Sequence, residues 1–393
     1  MFAEFDSFNN LEVLDMSYNE IDNLVVPQEL HNFTNLEYLT LSGSSLHISL
    51  LQSIASIFPS LKNLSMYGCE VNGVVRGQGF LHFKRLEYLD MGFARFVFNT
   101  SFLHIIGESM PSLKYLSLSN SSLSTDNLSY NRLNGSIPDL VDGLSQLSHL
   151  ILAPNNLEGK VPVQLCRLNQ LQLLDLSNNN LHGLIPPCFD NTTLHESYSN
   201  GSSLKPFETS FLVKNIYIYR EKKILEIFEF TTKNIAYTYQ GRVVSYLSGL
   251  DLSCNKLICH ISPQIGNLTR IQTLNLSHND LIGTIPSTFS NLKHIESLDL
   301  SYNQLNGKIP LQLVELNTLA VFSVAHNNLS GSGYGATVVP CHSYIQPLDA
   351  LELVGFIGIQ RLDATVARGR SLPRHNKAHN NIILAKMKQY SQS

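Results

Sequence analysis

The chain has 393 residues, of which 43% are hydrophobic and 15% charged, with a formal net charge of −4. That balance excludes a disordered chain and gives no electrostatic reason to expect nucleic acid as a partner. Tryptophan is absent while Leu, Ser and Asn recur, the economy of a repeated unit.

The opening "MFAEFDSFNN" lacks a basic stretch followed by an apolar one, so no signal peptide is expected there. Residues 1–10 look like the remnant of a preceding repeat. From Leu11 a frame L-x-x-L-x-L-x-x-N-x-L begins, and it starts again at Leu36, Leu61, Leu86, Leu113, Leu123, Leu147, Leu171, Leu247, Ile271, Ile295 and Leu319. The intervals are 25, 25, 25, 27, 10, 24, 24, 76, 24, 24 and 24. A fixed period of this size predicts a solenoid whose coils bury their apolar edges only by stacking.

The letters say how each coil runs. Apolar residues two apart predict a short strand with alternate side chains inward. Asn at the ninth position (Asn19, Asn131, Asn155, Asn179, Asn255, Asn279, Asn303 and Asn327) ends the strand, and its amide can satisfy backbone groups of two coils. The "G-x-I-P" that often follows turns the chain back along the convex side. The fold class expected is a leucine-rich-repeat solenoid, curved, with a parallel β-sheet on its concave face and one island insertion.

The second half, from Leu147 to Gly331, carries a closer likeness. "LCRLNQLQLLDLSNNNLHGLIPPCF", "IGNLTRIQTLNLSHNDLIGTIPSTFSNLKHIESLDLSYNQLNGKIP" and "LAVFSVAHNNLSG" resemble the plant leucine-rich-repeat receptor-like proteins, cell-surface receptors without a kinase domain. The resemblance covers residues 11–331 and implies an N-terminal repeat block at 11–188, an island domain at 189–246 and a four-repeat block at 247–331. Residues 332–393 are expected to be an atypical, disordered tail. Within the island, "FLVKNIYIYREKKILEIFEF" and "TTKNIAYTYQGRVVSYL" are rich in β-branched and aromatic residues, so strands are expected.

Three departures from the family pattern suggest a truncated or variant chain. No cysteine-bearing cap precedes Leu11. The paired-cysteine cap, acidic spacer and membrane helix expected after Gly331 are replaced, and "LDALELVGFIGI" is short and carries Asp349 and Glu352, so no membrane span is expected in this chain. Leu113–Ser122 reads as a strand without a convex return, predicting a weak point in the array. Cys259 and Ser262 also stand where Gly and Pro belong.

The chemistry of a catalyst is not written here. No G-x-S-x-G, H-E-x-x-H or Walker pattern occurs, "GSGYGA" follows a repeat rather than a strand opening a helix, and the histidines are scattered. His278 and His326 are placed as strand surface residues. Catalytic residues, metal ligands and cofactors are therefore expected to be none. The cysteines form no C-x-x-C pair. Cys166 and Cys188 occupy similar places in successive coils, where stacking about 5 Å apart allows either a disulfide or two buried thiols. Cys69 stands in an asparagine slot as a buried hydrogen-bonding thiol. N-x-S/T sequons mark Asn32, Asn63, Asn99, Asn120, Asn127, Asn134, Asn191, Asn200, Asn267, Asn275 and Asn328 as candidate glycosylation sites. The basic residues after Arg361 read as a solvated extension.

Two columns on the strands are expected to face solvent. The third-position column holds Tyr38, Tyr88 and Tyr115, candidate ligand contacts because tyrosine gives rigid amphipathic contact area. The fifth-position column holds Asp15, Asp90, Asp175, Asp251 and Asp299, which equally suit a plain solvated sheet. The resemblance implies a non-enzymatic recognition module on the extracellular face of the plasma membrane, in defence or developmental signalling. Its implied partners are a peptide or protein ligand, and a co-receptor kinase meeting the last four repeats. The alternatives are a non-signalling decoy or pseudogene fragment, or an intracellular repeat scaffold.

Overall fold

Leucine spacing, coil by coil, dictates the architecture. The computed structural model describes residues 10–21, 33–72, 83–95, 101–119, 133–138, 143–192, 194, 227–232, 235–240 and 247–330. Eleven three-residue strands form one parallel sheet: Val13–Asp15, Tyr38–Thr40, Asn63–Ser65, Tyr88–Asp90, Tyr115–Ser117, His149–Ile151, Leu173–Asp175, Gly249–Asp251, Thr273–Asn275, Ser297–Asp299 and Val321–Ser323. Leu39, Leu64, Leu89, Leu116, Leu150, Leu174, Leu250, Leu274 and Leu298 pair in turn along it. All nine are buried. A slip of one residue would swing this column to solvent, so burial itself fixes the register. Each leucine contributes on the order of 2 kcal/mol, and only while neighbouring coils cover it.

The asparagine at the end of the strand stitches coil to coil. Asn279 accepts the Leu257 N–H at 3.0 Å and donates to the Leu252 carbonyl at 3.0 Å and the Leu276 carbonyl at 3.3 Å. Asn155, Asn179, Asn255, Asn303 and Asn327 repeat the pattern. In the third coil Cys69 takes the slot and its thiol donates to the Leu41 carbonyl at 2.9 Å. Ser44 does the same work in the second coil, through the Met16 carbonyl.

Coil length selects the convex return. The longer N-terminal coils carry α-helices at Ile48–Ile57 and Ser101–Ser109, whereas the 24-residue coils carry single 3₁₀ turns such as Val163–Arg167, Ser287–Asn291 and Leu311–Glu315. Proline stands at the N-cap of these turns at Pro162, Pro286 and Pro310. Where Ser262 replaces it, the hydroxyl accepts the Gln264 N–H instead.

The expected weak point is not a broken coil. Tyr115–Ser117 pairs in full register with Tyr88–Asp90 on one side and His149–Ile151 on the other. Asn155 then joins the Leu118 carbonyl to the Leu133 N–H. The frames at Leu113 and Leu123 therefore share one coil: the first supplies its strand and the second its return. Residues 120–132, including Asn131, lie outside the described residues.

The insertion leaves the sheet unbroken, because Leu173–Asp175 pairs directly with Gly249–Asp251. Phe189 and Leu194, assigned to the island, are fully buried in the solenoid core, so the departure begins later than residue 189. Within the island the strands Ile227–Thr232 and Ile235–Gln240 form an antiparallel hairpin, as the composition predicts there. The tail from residue 332 lies outside the described residues.

A second, lateral set of short strands follows the asparagines. Asn134–Gly135, Asn156–Lys160, Asn180–Gly183 and Lys256–Leu257 form one sheet, and Ile282–Gly283, Gln304–Gly307 and Asn328–Leu329 another. The division falls at Cys259. Gly183 and Gly283 both take a φ of 82°, a left-handed conformation that a side chain disfavours. Cys259 is not among the left-handed residues, and only a single bridge joins His260 to Ile282 across the gap.

Candidate recognition surface

The columns expected to face solvent are largely covered. Tyr38 is half-buried, but Tyr88 is 4% exposed and Tyr115 2%. Their rings stack at 4.3 Å with planes 10° apart. The physical reason lies far away in sequence. Tyr88, Tyr115, Ile151, Leu173 and Leu247 form one cluster with Phe230 of the inserted hairpin. Phe230 joins this cluster from the hairpin, a contact that periodicity within one coil cannot foretell.

One position admits it. Gly249 stands at the third place of its coil, and a Cβ there would lie 2.7 Å from two carbons of the Phe230 ring. Its only special quality is the missing side chain. In sequence it is the single glycine in the third-position column, a signal that could have located the contact.

The aspartates are buried too, except Asp15. Each buried one folds onto the turn that follows: Asp90 accepts the Gly92 N–H, Asp175 the Ser177 N–H, Asp251 the Ser253 N–H and Asp299 the Ser301 N–H. Burial pushes the carboxyl of Asp90 up to about 7, against hydrogen bonds from Gly92, Ser117 and Tyr88. Asp175 is raised to about 6 by burial. Asp251 reaches about 8, through burial first and the charge of Asp175 second. Asp299 is raised by burial as well. The column is therefore a turn-forming device, not a row of solvated charges.

The eighth position forms a feature the spacing did not announce. Tyr18, Phe93, Asn178, Cys254, His278, Tyr302 and His326 all have φ between 50° and 59°. His278 and His326 thus sit in a left-handed turn, not on the strand. Their rings sandwich Tyr302 at 4.0 and 3.8 Å, nearly parallel.

Cys166 and Cys188 are joined as a disulfide with their Cα atoms 5.6 Å apart, tying one convex turn to the next. Cys69 is a buried thiol whose ionisation burial pushes up to about 11. Of the sequons, Asn134 and Asn328 are exposed on the lateral strands and Asn267 is half-buried, its amide donating to Asp190 at 3.1 Å. Asn63 and Asn275 are buried on the main sheet. Asn275 donates to Asp251 at 3.1 Å, so these two are corrected from glycosylation candidates to structural residues. Asn32, Asn99, Asn120, Asn127 and Asn200 lie outside the described residues, as does the side chain of Asn191. Among the described residues there is no group of three or more metal-ligating side chains, and no helix is long and apolar enough to cross a membrane.

Known proteins share this arrangement. Leucine-rich-repeat family models match residues 269–329, 10–33 and 170–192. The receptor-like protein EIX1 of Solanum lycopersicum is 33% identical over 156 residues, covering 38% of this chain and 14% of that protein. Cuscuta receptor 1, also of Solanum lycopersicum, is 44% identical over 46 residues, 12% of this chain and 4% of that one. Over these stretches the chain is similar to plant leucine-rich-repeat receptor-like proteins. It spans less than a sixth of these two relatives' length.

Solved structures show the same leucine-rich-repeat fold. A TDR receptor has a TM-score of 0.55 at 24% identity, covering 84% of this chain and 44% of that one. The Arabidopsis receptor kinase HAESA, solved in complex with the peptide hormone IDA and the co-receptor SERK1, has 0.55 at 21%, covering 83% and 47%.

Proposed function

We propose that this chain is a non-catalytic recognition module that binds a peptide or protein ligand on its main sheet, beside the inserted hairpin. The observation that carries this reading is the half-exposed pair Gln272 and Glu296 on the two coils that follow Gly249, where Phe230 of the inserted hairpin is seated. The apolar residues Tyr88, Tyr115, Ile151 and Leu173 are already buried within the chain.

The likeness to the tomato receptor-like proteins supports a cell-surface setting outside the plasma membrane, in defence or development. The last four coils, from Leu247 to Leu329, are the part of the array that would meet a co-receptor kinase. Their second-position residues Gln272 and Glu296 are half-exposed at the rim of the sheet.

The test is a secreted form of the chain offered peptide and protein fractions from plant and microbial cultures, with bound species read by mass spectrometry. The expected result is a ligand whose capture is lost in Gln272→Lys/Glu296→Lys while circular dichroism is unchanged. Equal capture by that variant, or by one whose solenoid is unfolded, overturns the reading.

A further inference from the structure

We propose that the turn at Gly68, in the N-terminal coils, is a binding site for one neutral sugar ring. It lies apart from the recognition surface above, because Asn63–Ser65 is the third strand of the main sheet and Gly249–Asp251 the eighth.

The site is a gap in the eighth-position column. Among the C-terminal coils that column is filled, and His278, Tyr302 and His326 stack ring on ring at 4.0 and 3.8 Å. In the first four coils it reads Tyr18, Gly43, Gly68 and Phe93, all in the same left-handed turn with φ between 57° and 68°. A Cβ on Gly43 would lie 2.6 Å from two carbons of the Tyr18 ring, so that ring leans over the second coil. A Cβ on Gly68 would meet no atom of the described residues within 4 Å. Beyond Gly68 stands a second aromatic wall, Phe93 packed against Tyr67 with ring centroids 4.9 Å apart. Tyr18 is 85% exposed and Tyr67 38%, so both walls are open to water.

The lining selects the ligand. From the second coil to the fourth is two strand spacings, about 10 Å. Flat rings in this chain stack at 4.0 and 3.8 Å, so one flat ring would touch only one wall. A pyranose chair is thicker, and its C–H faces carry the slight positive charge that the face of an aromatic ring attracts. Polar groups lie beside the walls. The Ser42 and Ser65 hydroxyls, half-buried on the stretches leading to Gly43 and Gly68, pair at 3.1 Å. Asp15, exposed on the first strand, holds Ser17 through Oδ1, and its charge disfavours an anionic ligand. Hydroxyl pairs and carboxylates meet groups that both donate and accept, as sugar hydroxyls do. The ligand these groups fit is neutral, rich in hydroxyls and apolar on its ring faces.

Two variants of the full chain, Gly68→Tyr and Tyr18→Ala, test the site. Tyrosine already occupies this left-handed position at Tyr18 and Tyr302, so Gly68→Tyr fills the gap and keeps the turn. Tyr18→Ala changes only an exposed side chain, and it carries the test should the other variant fail to fold. The probes are cellohexaose, chitohexaose and N-acetyl-tyrosinamide at millimolar concentration, read by saturation-transfer NMR and titration calorimetry. One or both hexasaccharides should bind the wild-type chain. Tyr18→Ala should weaken that binding about fivefold or more, and Gly68→Tyr should abolish it. No binding of either hexasaccharide, or binding unchanged in the folded variants, overturns the proposal. Binding of the tyrosine amide alone would assign the gap to an aromatic side chain of a protein, and it overturns the proposal equally. None of these readings involves Gln272 or Glu296, so failure here is distinct from failure of the function proposed above.

Discussion

Asp175 and Asp251 are register partners on neighbouring strands, so two buried carboxyl groups lie side by side where the chain rejoins the solenoid after its insertion. Asp251 also accepts a hydrogen bond from Asn275 at 3.1 Å on its far side. Two carboxylates in this position cannot both ionise cheaply. The pair loses one proton near 6 and the next near 8, each raised from 3.8.

The sign of the resulting pH dependence follows from proton counting. Between 3.8 and about 8 the folded chain holds more protons at this pair than the unfolded chain does. Stability therefore falls as pH rises through that window and levels off above it. Asp175→Asn removes one charge and offers an amide to Asp251, as Asn275 already does from the next coil. It should stabilise the chain by about 1–2 kcal/mol at pH 8 and leave it nearly unchanged at pH 4. Thermal midpoints of both chains from pH 4 to pH 9 check this, and parallel curves would contradict it.

The asparagine ladder gives a larger effect. Asn279→Ala removes the acceptor of the Leu257 N–H and the donor to the Leu252 carbonyl, both in the buried interior. Orphaned backbone groups cost about 1–3 kcal/mol each, so a loss of about 3 kcal/mol is expected. Asn279→Ser, which copies the arrangement at Ser44, should recover part of it. The check is hydrogen exchange at Leu257 and the thermal midpoint, where Ala and Ser behaving alike would refute the argument.

Much of this fold was legible because its rule is local. The L-x-L pair and the following asparagine fix strand, register and turn within nine residues, and the leucine column repeats this in each coil. What escaped was non-local or backbone-encoded. Tyr88 and Tyr115 were expected in solvent because nothing in their own coils mentions Phe230, more than a hundred residues away. The left-handed eighth position was hidden because Tyr, Phe, Asn, Cys and His fill it, and only Gly43 and Gly68 announce it. The frames at Leu113 and Leu123 looked separate because the motif is written twice ten residues apart, although Asn155 joins the Leu118 carbonyl to the Leu133 N–H within one coil.

The left-handed turn makes its own prediction at Tyr302, whose φ is 52°. Tyr302→Gly loses the ring stack with His278 and His326 but removes the conformational penalty of an L-residue there. Tyr302→Ile loses the stack and adds a β-branched side chain at positive φ. The isoleucine variant should be less stable than the glycine variant by about 1 kcal/mol or more. Denaturant midpoints of the two decide it, and the reverse order would mean that packing, not backbone, governs the position.

The disulfide between Cys166 and Cys188 closes a loop with a sequence separation of 22. Loop-closure entropy for a ring of that size predicts about 3 kcal/mol of stabilisation. Reductant should lower the thermal midpoint of the wild-type chain and leave Cys166→Ala/Cys188→Ala untouched. A midpoint insensitive to reductant in the wild type would show that the convex turns hold without the bond.

Glycosylation provides the last prediction, because an attached sugar needs an asparagine that reaches solvent in the folded coil. Asn134 and Asn328 each open a lateral strand and are exposed there. Asn63 and Asn275 lie on the main sheet at 8% and 7% exposure, and Asn275 holds Asp251 and the turn at Ser277. A glycan added to either during synthesis would stand where the neighbouring strand or its side chains must pack. When the chain is secreted from plant cells, the folded fraction should therefore carry glycans at Asn134 and Asn328 and none at Asn63 or Asn275. Peptide mapping by mass spectrometry of the soluble product reads this directly. A glycan at Asn275 in folded material would mean that the sheet opens there far enough to expose Asp251, and it would remove the basis for the pH dependence argued above.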